Sequence, residues 1–238
     1  MKAAVLHGND DIRYENYPTP VPAPGQVIVK VVATGICGSD VPRVLNNGAH
    51  YYPIVLGHEF AGEIVETGES IEGLAVGDRV SGAPLVPCMK CVDCQKGNYA
   101  LCKHYTFIGS RIQGSFAEYV ALPAANAVKF DESVTFEQGA FFEPCTVALH
   151  GVRVNGYKGG GEVAILGGGT IGIFTMQWAK IFGAKSVTVF DISDDRLSLA
   201  KEFGADFVSN TKTDVTEKDK YDYIFETAGV TDTMKLAF

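Results

Sequence analysis

The sequence predicts a β-rich domain followed by a smaller α/β domain built on a parallel sheet, on three observations. Up to about residue 130, short apolar or alternating runs are separated by Gly, Pro and Asn turns. From about residue 135, strand-like and helix-like segments alternate. Between these halves, at 151–161, glycines cluster, which puts the boundary there and gives domains of 1–152 and 153–238.

In chain order, strands of the first domain are expected at 3–6, 27–33, 60–65, 79–86 and 117–122. Thr135, Phe136, Glu137 and Gln138 have the spacing of a capping box and are expected to open a helix running to His150. In the second domain, 163–166 reads as a buried strand and 171–182 as a helix. A strand at 187–190 and a helix at 194–203 follow, with weaker strands at 207–208 and 223–225. This β-α-β-α-β order implies parallel strands joined by right-handed crossovers.

Composition narrows the function classes. The 238 residues are 46% hydrophobic and 20% charged, ample for a real core in one or two domains. No apolar run approaches the ~18 residues of a membrane-spanning helix. A formal charge of −8, without any Lys/Arg cluster, argues against a nucleic-acid or anionic-membrane surface. Met1, Lys2, Ala3, Ala4 and Val5 do not resemble an export signal, so a cytoplasmic enzyme with a small-molecule partner is expected.

Cys88, Cys91, Cys94 and Cys102 stand in the spacing C-x2-C-x2-C-x7-C. Four thiolates in so short a segment can surround one tetrahedral Zn²⁺. Two disulfides or four unrelated buried cysteines are the alternatives, and disulfides require an oxidising compartment. A site closed by four sulfurs has no open position for substrate, so this zinc is expected to be structural.

Gly167, Gly168, Gly169, Thr170, Ile171 and Gly172 supply G-x-G-x-x-G where a strand ends and a helix begins. Gly167 allows the tight turn, Gly169 lets backbone approach a diphosphate, and Gly172 permits close helix–strand packing. The diphosphate is expected on the helix N-terminus. Asp191, ending the next strand, would accept hydrogen bonds from the ribose hydroxyls and repel a 2′-phosphate. Arg196 nearby would favour that phosphate. NAD rather than NADP is the expectation, in a Rossmann-type domain.

A second metal site is suggested upstream. Cys37 and His58 are soft donors suited to zinc, and a carboxylate can complete the set. Glu143 precedes Pro144 within an apolar stretch, 138–149, unusual for a solvated charge. Taken singly, a lone Cys is usually a small core residue and a lone His a satisfied one. Together they stand in a wider pattern: Gly57-His58-Glu59-x2-Gly62-x5-Gly68-x2-Ile71, followed by Gly77-Asp78-Arg79-Val80. With the cysteine group and the glycine motif in the same order, the chain resembles the medium-chain, zinc-dependent dehydrogenases.

That resemblance implies a GroES-like β-rich domain followed by a Rossmann domain. It implies Cys37, His58 and Glu143 as catalytic-zinc ligands and Glu59 as an alternate ligand. Asp40 would hydrogen-bond the far nitrogen of His58, Ser39 or Glu59 would carry the proton away, and Cys145 would be a core residue. Two zinc ions per chain and NAD are the implied cofactors. Glu143, where some relatives have Cys, is typical of the polyol branch. Residues 47–54, 56–60, 107–111 and 226–230 resemble its polyol-phosphate members. They imply oxidation of galactitol 1-phosphate to L-tagatose 6-phosphate, with sorbitol, L-iditol or threonine as alternative substrates. Arg111 or Arg43 would read the phosphate, unless each is a surface ion pair. A full sheet of this type has six strands, whereas about four are legible here. A C-terminally truncated chain with a partial Rossmann domain is therefore expected. The complete enzyme would be a homo-oligomer, and the short chain alone an inactive zinc-binding fragment as the alternative.

Overall fold

Alternation of apolar and polar residues shapes the first of two compact units, Met1–Glu143 and Pro144–Phe238. The computed structural model describes residues 1–214 and 220–237. The first unit begins with β1 (Lys2–Gly8), β2 (Asp11–Asn16) and β3 (Gln26–Gly35), then α1 (Asp40–Leu45). Next come β4 (Ile54–Val55), β5 (Glu59–Thr67), β6 (Arg79–Gly82), β7 (Leu85–Val86) and α2 (Val92–Gln95). It closes with β8 (Thr106–Phe107), β9 (Tyr119–Pro123), β10 (Ala127–Lys129) and α3 (Phe136–Ala140).

These strands form antiparallel sheets in the orders β2-β1-β4, β10-β6-β5-β3-β9 and β7-β8. Val29 of β3 lies opposite Ile64 of β5 and Val120 of β9, and all three are buried in one core with Val27, Phe60 and Leu122. Period-2 alternation is what aims them inward together. The strand expected at 79–86 is split between two sheets. Pro84 has no N–H for a ladder, and the Asn126 carboxamide donates instead to the carbonyls of Ala83 (2.8 Å) and Leu85 (2.7 Å).

The capping box forms as its spacing requires: Gln138 N–H donates to Thr135 Oγ1 (3.2 Å), and Thr135 N–H donates to Gln138 Oε1 (2.9 Å). The single helix expected through His150 is two, α3 and α4 (Phe142–Val154). Pro144 has no N–H to offer the Ala140 carbonyl, and its ring opposes helical continuation there. A proline is tolerated only in a first turn, so the helix restarts.

In the second unit, β11 (Glu162–Leu166), α5 (Thr170–Ile181), β12 (Ser186–Asp191) and α6 (Asp194–Glu202) alternate. They lead to β13 (Phe207–Asn210), β14 (Tyr223–Glu226) and α7 (Thr231–Leu236). The sheet is parallel, in the order β13-β12-β11-β14. Val163, Ile165, Val187 and Val189 are fully buried and pack with Ile173, Met176, Leu197 and Phe225. Because β11 pairs with β12 on one side and β14 on the other, its carboxyl end is a topological switch point, where such sheets bind ligands. Among the described residues, no helix is long and apolar enough to cross a membrane.

Asp206 ties α5 to β12, and its carbonyl accepts from Lys201 Nζ of α6 (2.5 Å). Its Oδ1 accepts from Lys180 Nζ (2.8 Å) and its Oδ2 from the Val187 N–H (2.8 Å). The Lys180 hydrogen bond holds its carboxyl below the ordinary 3.8. A depressed acid contributes stability above its unfolded value, and that stability is lost as pH falls through the folded value. Asp206→Ala should lower the thermal midpoint at pH 7 by about 2–4 °C. In a calorimetric pH series the gap to wild type should shrink below pH 3.8.

Candidate active site

The antiparallel pairing of β3 with β5 assembles the first candidate site. Gly35, at the end of β3, lies opposite Glu59, at the start of β5. Cys37 follows that strand end and His58 precedes the facing one, so their side chains meet. One donor atom from each of Cys37, His58 and Glu59 lies within 4.8 Å of the others. Gly35 leaves room for the Glu59 carboxylate, which a Cβ there would push aside. Gly57, at φ +89°, turns the chain into His58, and Ser115 N–H donates to its carbonyl (3.0 Å).

Hydrogen bonds fix the surroundings. Ser39 Oγ donates to Cys37 Sγ (3.4 Å), and Cys37 N–H donates to Asp40 Oδ2 (3.1 Å). Asp40 Oδ1 faces His58 Nδ1 at 3.7 Å, beyond hydrogen-bond range. Both atoms are buried without a hydrogen-bond partner. The carboxylate is thus placed to orient the ring, leaving Nε2 as the nitrogen for an ion.

Burial pushes up the Cys37 thiol and the carboxyls of Asp40, Glu59 and Glu143. The Glu59 and Asp40 charges raise Glu143 and Cys37 further. Four crowded acidic groups with one imidazole are costly to ionise unless a cation joins them. Thiolate, imidazole and carboxylate are a donor set that zinc accepts. The residues fit the ion. Glu143, in the first turn of α4, stands outside the 4.8 Å group, close enough for its carboxyl to feel the His58, Glu59 and Asp40 charges.

The second cluster is Cys88, Cys91, Cys94 and Cys102, again within 4.8 Å. Sulfur separations are 3.5 Å (Cys91–Cys94), 3.9 Å (Cys91–Cys102) and 4.0 Å (Cys88–Cys94). Zinc–sulfur bonds of ~2.3 Å in a tetrahedron give sulfur–sulfur edges of ~3.8 Å, against ~2.05 Å in a disulfide. None of the six cysteines is joined in a disulfide. A backbone N–H of Cys94 brings the Cys91 thiol down to about 6, whereas burial pushes Cys94 up to about 12. Between 88 and 102, only Cys94 and Cys102 are buried. The lobe has no core except its ligands.

The third element is the turn after β11. Gly167 has φ +110°, and a Cβ on Gly172 would overlap the Gly167 carbonyl. Beside Gly169 the space is open, so backbone there is accessible to a ligand. Thr170 and Ile171 open α5, whose first-turn N–H groups favour an anion. Asp191 Oδ2 accepts from Gly168 N–H (2.7 Å) and Oδ1 from Ser193 N–H (2.9 Å). A carboxylate has lone pairs left for ribose hydroxyls. Arg196 stands 3.6 Å from Asp191, its side chain 61% exposed.

Two supports escape a reading of the sequence. Gly35 acts through a cross-strand neighbour, which no local spacing reveals. Thr227 Oγ1 donates to the Leu166 and Gly167 carbonyls at 3.0 Å and braces the glycine turn from the end of β14. Its place beyond a weak strand, facing a strong motif, was the available signal.

The two clusters predict two zinc ions per chain by atomic emission. Cys94→Ser should remove one and lower the thermal midpoint by roughly 10 °C, because that lobe has nothing else to fold around. Cys37→Ser should remove the other with a much smaller thermal effect.

Profiles described as the alcohol dehydrogenase GroES-like domain and the zinc-binding dehydrogenase match residues 23–132 and 170–238. Galactitol 1-phosphate 5-dehydrogenase of Escherichia coli (strain K12) is 44% identical over 220 residues, which are 89% of this chain and 64% of that protein. The chain therefore spans just under two thirds of that relative. Sorbitol dehydrogenase of Bacillus subtilis (strain 168) is 35% identical over 96% of this chain and 69% of its own. The crystal structure of galactitol-1-phosphate dehydrogenase from Escherichia coli has TM-score 0.93 and 41% identity, covering 100% of this chain and 71% of that one. A zinc-binding dehydrogenase from Sinorhizobium meliloti 1021, bound to NADP, has TM-score 0.93 and 36% identity, covering 99% and 72%. With the strand pairing, the cysteine lobe and the glycine turn all in place, the chain belongs to the zinc-dependent medium-chain dehydrogenase family.

Proposed function

We propose that the protein oxidises a polyol phosphate, galactitol 1-phosphate to L-tagatose 6-phosphate, with zinc as cofactor and NAD as hydride acceptor. One observation carries this reading: Cys37, His58 and Glu59 converge beside a buried, unpartnered His58 Nδ1. The likeness to the galactitol 1-phosphate enzyme supports the substrate class.

When bound, zinc supplies Lewis acidity to a substrate hydroxyl, and NAD accepts the hydride. Cys37 and His58 hold the ion, with Glu59 and Glu143 as the carboxylates that complete or vary the set. Asp40 orients the His58 ring. Ser39 Oγ, which is exposed, would take up the proton leaving the substrate hydroxyl as its own passes to solvent water, with Glu59 and water as the parallel exit. Cys88, Cys91, Cys94 and Cys102 hold the structural ion.

The N–H groups of Gly169, Thr170 and Ile171 receive the cofactor diphosphate. Asp191 accepts from the ribose and disfavours a 2′-phosphate, which Arg196 would otherwise attract. The reading carries a small-molecule partner, a cytoplasmic setting and a homo-oligomer for the complete enzyme, with no role for nucleic acid or membrane. Oxidation of sorbitol or L-iditol is the second reading, favoured by the match to the Bacillus subtilis enzyme.

Zinc-loaded protein should reduce NAD with a polyol panel, kcat/KM being highest for galactitol 1-phosphate. His58→Ala should lower turnover by about 10³-fold while keeping the cysteine-bound zinc. A loaded protein that oxidises no polyol overturns the proposal. Asp191→Asn should cut the NAD-over-NADP preference by roughly tenfold, read as the ratio of kcat/KM.

A further inference from the structure

Beside Cys37, α1 and the turn after it enclose a depression of about 410 Å³. Its polar lining is Ser39, Arg43, Asn47 and His50, and no carboxylate lines it. The guanidinium is fixed in place. Arg43 Nη1 donates to Ser39 Oγ (3.2 Å) and stands 3.6 Å from the buried Asp40 carboxylate, with the side chain only 26% exposed.

The opposite wall is equally tied down. The Tyr52 hydroxyl donates to Asn9 Oδ1 (3.2 Å) and accepts from the Ala49 N–H (3.1 Å), while Asn9 Nδ2 donates to the Asn46 carbonyl (2.9 Å). Gly48 adopts φ +69°, and a Cβ there would press on the Tyr52 hydroxyl at 2.7 Å. The depression is a built pocket, not a gap between loose loops.

Its chemistry selects an anion. A chain of net charge −8 repels anions at a distance. A planar guanidinium, with hydroxyl, carboxamide and imidazole around it, offsets that locally and matches phosphate geometry. The Ser39 hydroxyl is shared: it accepts from Arg43 and donates to Cys37 Sγ at 3.4 Å. The guanidinium and the candidate zinc ligand are therefore two hydrogen-bond lengths apart. Arg111 lacks this setting. Its guanidinium lies 4.8 Å from the Tyr105 ring centre, its Nη2 donates to the Tyr105 hydroxyl (3.4 Å), and it does not line the pocket.

We infer that this pocket is the subsite for the phosphate of a phosphorylated polyol, with Arg43 setting specificity, so that a carbinol further along the same chain reaches Cys37, His58 and Glu59. The inference rests on the polyol dehydrogenase reading above. Rates with galactitol 1-phosphate and with galactitol test it, alongside calorimetric titration of inorganic phosphate into zinc-loaded protein.

Arg43→Met should lower the phosphorylated-to-unphosphorylated kcat/KM ratio by about tenfold or more and weaken phosphate binding similarly. His50→Glu, on an exposed residue whose change leaves the fold intact, should move both readouts the same way by repulsion. Equal losses on both substrates, or phosphate binding indifferent to both variants, would overturn the subsite while polyol turnover upholds the dehydrogenase reading. Arg43-dependent phosphate binding in a protein that oxidises neither substrate would show an anion site but overturn the dehydrogenase reading, and the subsite's role with it.

Discussion

The pairing of two strand ends governs the chemistry of this protein. Gly35 against Glu59 is one rung of an antiparallel ladder, yet it sets how close a thiol, an imidazole and a carboxylate must come. Backbone hydrogen bonds are indifferent to the charges they bring together. The ladder therefore imposes an electrostatic cost that the local sequence cannot relieve by itself. Burial raises the pKa of Cys37, Asp40, Glu59 and Glu143, and these weakened acids register the cost. A divalent cation removes it by converting mutual repulsion into shared attraction.

The same logic separates the two metal groups. The Cys37 group lies at the margin of a sheet whose core is built from apolar side chains. An ion there changes charge and reactivity more than shape. The cysteine group is the reverse case, since its sulfurs are also the interior of the lobe. Zinc fits both donor sets, but what each location would ask of it differs: under the proposed function one would use its acidity, the other its capacity to gather chain.

How much was legible in the sequence follows from how local each signal is. The four cysteines lie within fifteen positions, and their spacing alone brings the sulfurs close. The glycine turn was equally readable, because it sits between a buried strand and an apolar helix. The parallel order of the second unit followed from alternation of element types. What spacing could not show was every cross-strand relation: Gly35 making room for Glu59, Thr227 bracing Gly167, Asn126 taking over beyond Pro84. The two elements whose bounds differ from the sequence pattern, the split strand and the divided helix, are each interrupted at a proline, which has no N–H to donate. Glu143 is the harder case, since a helix start fixes its position only to within a side-chain length.

The excursion between Cys88 and Cys102 has a kinetic consequence. With only two of its own sulfurs shielded from water, it gains little protection from the neighbouring sheets. Its amide protons should then exchange with solvent at a pace set by ion release, while the strands around it open only with the whole unit. Proteases would find their first foothold there whenever chelators outcompete the thiolates, so the lobe acts as a fuse that fails before the rest of the chain does.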